Sequence, residues 1–187
     1  PERDYYFRPD PASAAVRTKY LEHVARTFQL AGRSEADAKS AADRIFAIET
    51  ALAQASLTAV QRRNPEANYH LLPLDSLKAM TPSFAWGLYV EKRGVQRDSL
   101  NIAHPDFFRA LEATLAATPL ADWQDYLRWR VLDDAAPMLT QAFADEDFRW
   151  ASVLSGAREI QPRWKRCLRA AEGDLGDLLA RSFVKRK

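Results

Sequence analysis

The stretch DPASAAVRTKYLEHVARTFQLAGRSEADAKSAADRIFAIETALAQA, residues 10–55, decides the fold. Asp10 followed by Pro11 has the pattern of a helix N-cap with proline at the first helical position. Apolar side chains then recur at helical spacing until Gly32, and Ser34 with an acidic residue three positions later opens a second periodic run. Two long helices joined by so few residues must lie antiparallel. The stretch therefore predicts a helical hairpin.

Outside this hairpin the chain has the pattern of further helices separated by proline and glycine. Alternation of polar and apolar residues over 99–103 predicts one short strand. After Pro162, an apolar stripe that includes Trp164 predicts a helix that is interrupted at Gly173 and resumes to the end. We expect residues 1–187 to form one all-α domain, an orthogonal bundle of about eight to ten helices with at most one short pairing of strands.

Composition and charge limit the classes of protein to which the chain can belong. Of its 187 residues, 47% are hydrophobic and 28% are charged, so it can bury a core without disulfides or metal. The net charge of +2 is too small to demand nucleic acid as a partner, and no apolar run is long enough to span a membrane. The first residue is Pro1 and both ends look cut, so we expect a segment of a longer protein whose targeting signal lies elsewhere.

The histidines and carboxylates do not form a recognisable metal or catalytic pattern. His23, His70 and His104 are widely spaced, and none belongs to a His-Glu-x-x-His arrangement, which places two imidazoles on one helix face to hold zinc. We therefore predict no metal site and no catalytic residue here, with His23 a partly exposed helix residue and His104 a helix cap. The carboxylates that could form acid–base pairs, which we interpret instead as surface charge, are Glu22, Glu49, Asp133, Asp134 and the run Asp145-Glu146-Asp147.

Basic and aromatic residues are interleaved at two places, a pattern that can mark binding of single-stranded nucleic acid. Arg128 and Arg130 flank Trp129, and a second cluster surrounds Trp164. Both tryptophans fall on apolar stripes, so we interpret them as core residues and predict no nucleic-acid partner. Cys167, one turn from Trp164, is predicted to be a buried thiol. The basic residues of the second cluster are Arg163, Lys165, Arg166 and Arg169.

Five short stretches together resemble a known family. They are Pro1-Glu2-Arg3-Asp4-Tyr5-Tyr6, Arg62-Arg63-Asn64-Pro65 with Tyr69, Tyr126-Leu127-Arg128-Trp129-Arg130, Trp164-Lys165-Arg166-Cys167 and residues 173–184. In the same order they resemble the P-x-R-D-Y-Y, R-[DN]-P-x-x-x-Y, Y-L-x-W-R, W-[KR]-R-C and G-x-x-x-x-x-x-G-x-[LY]-[YF]-V elements of the neprilysin family of zinc metallopeptidases. The departures are His70 where Asn usually follows the Tyr, Ala180 in place of a Gly, and a basic end at 185–187.

The resemblance implies the N-terminal, non-catalytic lobe of a neprilysin-like zinc metalloendopeptidase. In that family two mostly helical lobes enclose a cavity, and zinc is held by a His-Glu-x-x-His helix and a downstream Glu in the C-terminal lobe. The segment would close over the active site, restrict substrates to oligopeptides and be inactive alone, since no catalytic or zinc-binding residue of the family maps onto it. Its implied partners are the catalytic lobe of the same polypeptide and peptide substrates, in a secreted, periplasmic or membrane-anchored protein.

The resemblance also implies contacts with chain outside the segment. Cys167 is expected to form a disulfide with a residue outside it. In the family the strand at 99–103 pairs with chain that precedes Pro1, so it is expected to be an exposed edge here. It would then be disordered, paired to the lead-in near Tyr5, or paired to a neighbouring molecule. The residues themselves leave an alternative open, a stand-alone helical protein-interaction module without catalytic activity. A weaker alternative is a basic helical nucleic-acid binder. No substrate-binding residue is assigned.

Overall fold

A computed structural model describes residues 3–94 and 96–186 of the chain. The fold divides into two compact units, Pro1–Trp150 and Ala151–Lys187. Over the described residues the elements are α1 (Arg3–Phe7), α2 (Pro11–Leu30), α3 (Glu35–Ala55), β1 (Leu71–Pro73), α4 (Leu74–Met80), α5 (Trp86–Lys92), β2 (Ser99–Asn101), α6 (Pro105–Ala117), α7 (Leu120–Ala135), α8 (Gln141–Ser155) and α9 (Arg163–Arg186), with 3₁₀ turns at Gln61–Arg63 and Ala136–Met138. The prediction of an all-α fold with at most one short pairing of strands is confirmed.

The predicted helical hairpin forms, with both of its caps. Asp10 caps α2 by accepting hydrogen bonds from the backbone N–H of Ser13 at 2.9 Å and from its hydroxyl at 2.8 Å. The hydroxyl of Ser34 caps α3 by accepting from the backbone N–H of Asp37 at 3.2 Å. Between the helices, Gly32 has a φ of 94°, a left-handed conformation that glycine adopts without steric cost. The connection thus turns α3 back to pack against α2.

The core of the first unit lies where α2, α3 and α7 meet. Its largest fully buried side chain is Trp129, which belongs to the same buried cluster as three alanines of α3. The buried members of this cluster are Tyr20, Val24, Phe28, Ala38, Ala41, Ala42, Ile45 and Trp129. The helical stripes predicted for α2 and α3 therefore form the core, and Trp129 is a core residue as predicted.

The strand predicted at 99–103 pairs with residues 71–73 of the same chain, so the expectation that its partner strand is missing here is wrong. β2 pairs antiparallel with β1, and Leu100 lies opposite Leu72. The backbone N–H of Ile102 extends the pairing by donating to the carbonyl of His70 at 2.9 Å. The partner escaped prediction because β1 has only three residues, ends in proline and shows no alternation of polar and apolar side chains.

The second unit contains α9, a helix of 24 residues that passes through Gly173 without the predicted interruption. None of its described residues is buried, and the side chain of Trp164 is 64% exposed. The predictions of Trp164 as a core residue and of Cys167 as a buried thiol are therefore wrong. The physical reason is that the described residues of this unit form no second helical layer against which the apolar stripe of α9 could pack.

Candidate functional site

His23 lies in a buried polar cluster of the first unit, contrary to the prediction of a partly exposed residue. Its Nδ1 is 3.0 Å from Oε1 of Glu146 on α8, and its Nε2 is 3.7 Å from Oδ1 of Asp133 on α7. The imidazole stacks on Trp150 at 5.8 Å between ring centroids and meets the edge of Trp129 at 5.3 Å. Two carboxylates that we interpreted as surface charge thus converge on one histidine and join α2, α7 and α8.

The other two histidines lie apart from that cluster. His104 is the N-cap residue of α6 but makes no side-chain capping bond, and His70 precedes β1. Both line a crevice of about 420 Å³ whose only carboxylate among the described residues, Asp106, is paired with Arg109. Within residues 3–94 and 96–186, no group of three or more His, Cys, Asp or Glu side chains is placed to hold a metal ion. That the isolated segment binds no zinc stays a prediction.

Glu49, like Glu146, was interpreted from the sequence as surface charge but is buried. One of its oxygens accepts a hydrogen bond from the hydroxyl of Tyr20 at 2.8 Å and the other from the hydroxyl of Tyr6 at 3.0 Å. The hydroxyl of Tyr20 accepts in turn from the indole N–H of Trp129 at 3.2 Å. Burial raises the pKa of Glu49, and burial beside Glu49 raises the pKa of both tyrosines. The result is a buried chain of four side chains across α1, α3, α2 and α7.

Asp125 accepts hydrogen bonds from three guanidinium groups at the surface of the same core. It forms a two-pronged contact with Arg33, in which one N–H···O distance is 2.9 Å, and accepts from Arg44 at 3.1 Å and from Arg128 at 3.2 Å. Hydrogen bonding from Arg33, reinforced by the other two arginines, lowers the pKa of Asp125 to about 2. Through Arg33 and Arg44, this cluster links the turn after α2 and the middle of α3 to Asp125 on α7.

The two basic and aromatic clusters differ in structure. The interpretation of Trp129 as a core residue is correct, and the structure shows in addition that Arg128 pairs with Asp125 and Arg130 with Asp133 at 3.3 Å. Trp164, in contrast, is exposed, and the ammonium of Lys165 lies 5.4 Å from the centre of its ring. The argument that core burial excludes a nucleic-acid role therefore does not hold for α9, and the prediction of no nucleic-acid partner rests on the low net charge alone.

An apolar groove runs along α7 on the outside of the first unit. It has a volume of about 750 Å³ and is lined by Phe28, Ala31, Arg33, Gln124, Leu127, Arg128, Val131 and Leu132. Leu127 and Val131, one helical turn apart, are 60% and 68% exposed. Single exposed apolar residues are ordinary, but two side by side in a groove form a surface suited to contact with further protein.

Among curated proteins, this chain is similar to longer proteins, and it spans only a fraction of their length. Endothelin-converting enzyme 1 of Rattus norvegicus is 26% identical over 192 residues, which cover 99% of this chain and 25% of that enzyme. Neprilysin-2 of Drosophila melanogaster is 28% identical over 172 residues, which cover 89% of this chain and 22% of that protein. The chain thus spans about a quarter of the length of the curated relatives it matches.

The backbone of this chain also superposes on part of a longer chain in solved structures. The zinc metalloprotease Zmp1 of Mycobacterium tuberculosis in its open state superposes with a TM-score of 0.92 at 34% identity, covering 100% of this chain and 29% of that one. The complex of Zmp1 with an inhibitor superposes with a TM-score of 0.91 at 32% identity. The sequence profile of Peptidase family M13 matches residues 1–187, the whole length. The chain therefore belongs to peptidase family M13, as part of the N-terminal region of that family.

Proposed function

We propose that this chain serves as non-catalytic scaffold in the N-terminal lobe of a zinc metalloendopeptidase, closing over the active-site cavity and restricting substrates to oligopeptides. The observation that carries the proposal is the match of the whole chain to the N-terminal region of peptidase family M13, together with its close superposition on 29% of Zmp1. Zinc and the groups that activate water would come from the C-terminal, catalytic part of the same polypeptide, which is the chain's principal partner.

The chemistry of the first unit supports a scaffold role. His23, Glu49 and Asp125 carry the reactive groups of its interior, and each is engaged with other side chains of the same unit. A general base or a zinc ligand needs a face open to substrate or metal. Groups that are buried and engaged with neighbouring side chains in this way stabilise packing instead, which suits a lobe that shapes a cavity rather than one that performs the reaction.

The proposed setting is extracytoplasmic, in a secreted, periplasmic or membrane-anchored protein, and rests on the family. Among the described helices, none combines the length and the apolar character that crossing a membrane requires. The groove along α7 supplies exposed apolar surface of the kind that the remainder of such a peptidase could cover.

The experiment separates the two parts of the parent polypeptide. The 187-residue chain and the remaining polypeptide are purified separately, loaded with zinc after chelator treatment, and assayed with a quenched-fluorescence oligopeptide and with casein. We expect no stoichiometric zinc and no cleavage by the chain alone, and cleavage of the oligopeptide when the two parts are combined.

The intact parent polypeptide is the control for failure of either part to fold. Its kcat/KM should fall steeply as the peptide is lengthened, with casein a poor substrate. Stoichiometric zinc and peptidase activity in the chain alone would overturn the non-catalytic role, and equal rates on casein and on short peptides would overturn the size restriction. A parent polypeptide without peptidase activity would instead favour the stand-alone interaction module.

A further inference from the structure

The helix α7 carries apolar residues on two opposite sides. Trp129 lies on the side that packs into the core and is fully buried. Leu120, Leu127 and Val131 lie roughly 160–180° around the helix axis from Trp129, because successive residues of an α-helix are about 100° apart. The exposed fractions of these three residues are 73%, 60% and 68%. A surface helix has one apolar face, so the second face gives α7 the pattern of a helix that is covered on both sides.

The groove along α7 presents this second face as a continuous apolar surface. Leu127 and Val131 both line it, one helical turn apart. The charged side chains among its described lining residues are Arg33 and Arg128, and both donate hydrogen bonds to Asp125. The groove therefore offers a partner apolar contact, while its charged groups are engaged within the first unit.

The shape of the groove suits a helix better than an extended segment. The groove has a volume of about 750 Å³ and lies between the end of α2 and α7. A furrow between two packed helices accepts the ridge of side chains on a third helix. The backbone groups of α7 along this face are hydrogen-bonded within the helix, so α7 offers no edge to a strand. A segment buried there must therefore pair its own N–H and C=O groups, as a helix does.

The similar proteins indicate where such a helix would come from. This chain covers 29% of the Zmp1 chain on which it superposes and 25% of endothelin-converting enzyme 1, so most of each of those proteins lies outside the matched part. A segment tethered to the same polypeptide reaches an effective concentration on the order of millimolar, which favours it over a separate molecule as the occupant of an apolar groove.

We propose that the groove along α7 binds an amphipathic helix of the parent polypeptide from outside residues 1–187, which packs its apolar stripe against Leu127 and Val131. Burial of these two side chains supplies the free energy of the contact, and the paired arginines at the groove remain in place beside the bound helix. The inference rests on the proposed function in that it places this chain within a larger polypeptide.

The test measures the accessibility of the groove in the intact parent polypeptide through the variant Val131→Cys. Alkylation by iodoacetamide is quantified peptide by peptide with mass spectrometry, so that each cysteine is followed separately. We expect Val131→Cys to react at least about tenfold more slowly in the folded protein than in urea, because a covered thiol is inaccessible to the reagent. The matched control is Val60→Cys, at a valine that is 76% exposed and outside the groove, and its rate should be similar in both states.

A second measurement identifies the occupant of the groove. Gln124 lines the same groove and is replaced in the parent polypeptide by the photo-crosslinking amino acid benzoylphenylalanine. After irradiation we expect a product of monomer mass in which position 124 is joined to a peptide outside residues 1–187. The sequence of that peptide should show apolar residues at helical spacing. Circular dichroism confirms that each variant is folded, and the cross-link provides the test if Val131→Cys is not.

Three results would overturn the proposal. The first is alkylation of Val131→Cys as fast in the folded protein as in urea, which would show an open groove. The second is a cross-linked product of twice the monomer mass, which would make a second copy the occupant. The third is cross-linking confined to residues 1–187.

Peptide cleavage by the same preparation tests the proposed function separately. A parent polypeptide that cleaves peptides while Val131→Cys reacts freely contradicts this inference alone. A parent polypeptide without peptidase activity, in which the groove is nevertheless covered by a helix from outside residues 1–187, contradicts the peptidase role and supports this inference.

Discussion

At the scale of single residues, two buried carboxylates of the first unit respond to their surroundings in opposite directions. Asp125 meets charged guanidiniums, so its ionised form is favoured and its pKa falls to about 2. Glu49 meets neutral phenols instead, which stabilise the ionised form less than burial destabilises it, so its pKa rises. The charge state of the hydrogen-bond donor decides the sign of the shift.

Asp125→Asn should lower the free energy of unfolding at pH 7 by about 2 kcal/mol, because three guanidiniums lose their charged acceptor. The native pKa of about 2 lies below the unfolded value of about 3.9. The stabilisation is therefore complete above about pH 4 and is lost as the pH falls toward about 2. Urea unfolding of both proteins over this range measures it. A difference between them that stays constant down to pH 2 would contradict the role of the charge.

Two tryptophans of the same chemistry should differ widely in their effect on stability. Trp129→Ala removes a fully buried ring and should cost about 3–5 kcal/mol of unfolding free energy. Trp164→Ala removes a ring that is 64% exposed, and in the 187-residue chain it should cost less than about 0.5 kcal/mol. Parallel urea melts decide the matter, and similar losses in both variants would mean that the first turn of α9 is packed.

Contacts between residues distant along the chain could not be predicted from the sequence. His23 and Glu146 are 123 positions apart, and Trp129 and Tyr20 are 109 apart. Helical periodicity places Tyr20 and Trp129 on buried faces, but it does not say which polar group meets which. Glu49 lies four residues after the buried Ile45, at the spacing that places two residues on one helix face, and this spacing is a local signal of its burial.

At the scale of elements, prediction succeeded where local chemistry is sufficient. The hairpin of α2 and α3 is specified by its caps, by Gly32 and by two apolar stripes, all of which are encoded within 46 consecutive residues. β1 is specified by its neighbour β2, and its own three residues carry no strand pattern. In α9, Gly173 and Gly176 disfavour helix locally, but the good helix formers around them outweigh that cost.

Glycine-to-alanine variants should have opposite effects on stability inside the helix α9 and at the turn between α2 and α3. Gly173→Ala and Gly176→Ala introduce a Cβ that meets nothing within 4 Å and should each stabilise α9 by up to about 1 kcal/mol, since alanine is the better helix former. Gly32→Ala has equal space but a φ of 94°, and it should destabilise the hairpin by about 1–2 kcal/mol. Thermal unfolding followed by far-ultraviolet circular dichroism gives the sign of each change. Destabilisation by Gly173→Ala would show that α9 is not continuous there.

At the scale of the whole molecule, the two units differ in how they are stabilised. The first has a core with Trp129 at its centre and three polar clusters around it. The second has an amphipathic helix whose described residues are all at least partly exposed, so its own packing contributes little to its stability. That residues 1–187 form a single domain stays a prediction, and the parent polypeptide is the natural context in which to test it.

Cys167 provides a measurement that compares the chain with its parent polypeptide. Because the thiol is free and exposed, it should react with a disulfide reagent at the rate of an unhindered cysteine under native conditions. In the parent polypeptide, the expected disulfide to a residue outside the chain would abolish this reaction until a reductant is added. Equal reactivity in the two proteins would rule out that disulfide, and slow reaction in the chain itself would contradict the exposure of the thiol.

The difference in solvent exposure between Trp129 and Trp164 should also make their fluorescence differ in its sensitivity to a quencher in solution. Of the five tryptophans, Trp129 is sealed from solvent and Trp164 is the one that is mostly open to it. Iodide in solution should therefore quench the red edge of the emission, from Trp164, and leave the blue edge, from Trp129, nearly intact. A denaturant titration that records the emission protected from iodide would then follow the melting of the core through Trp129, without any attached dye.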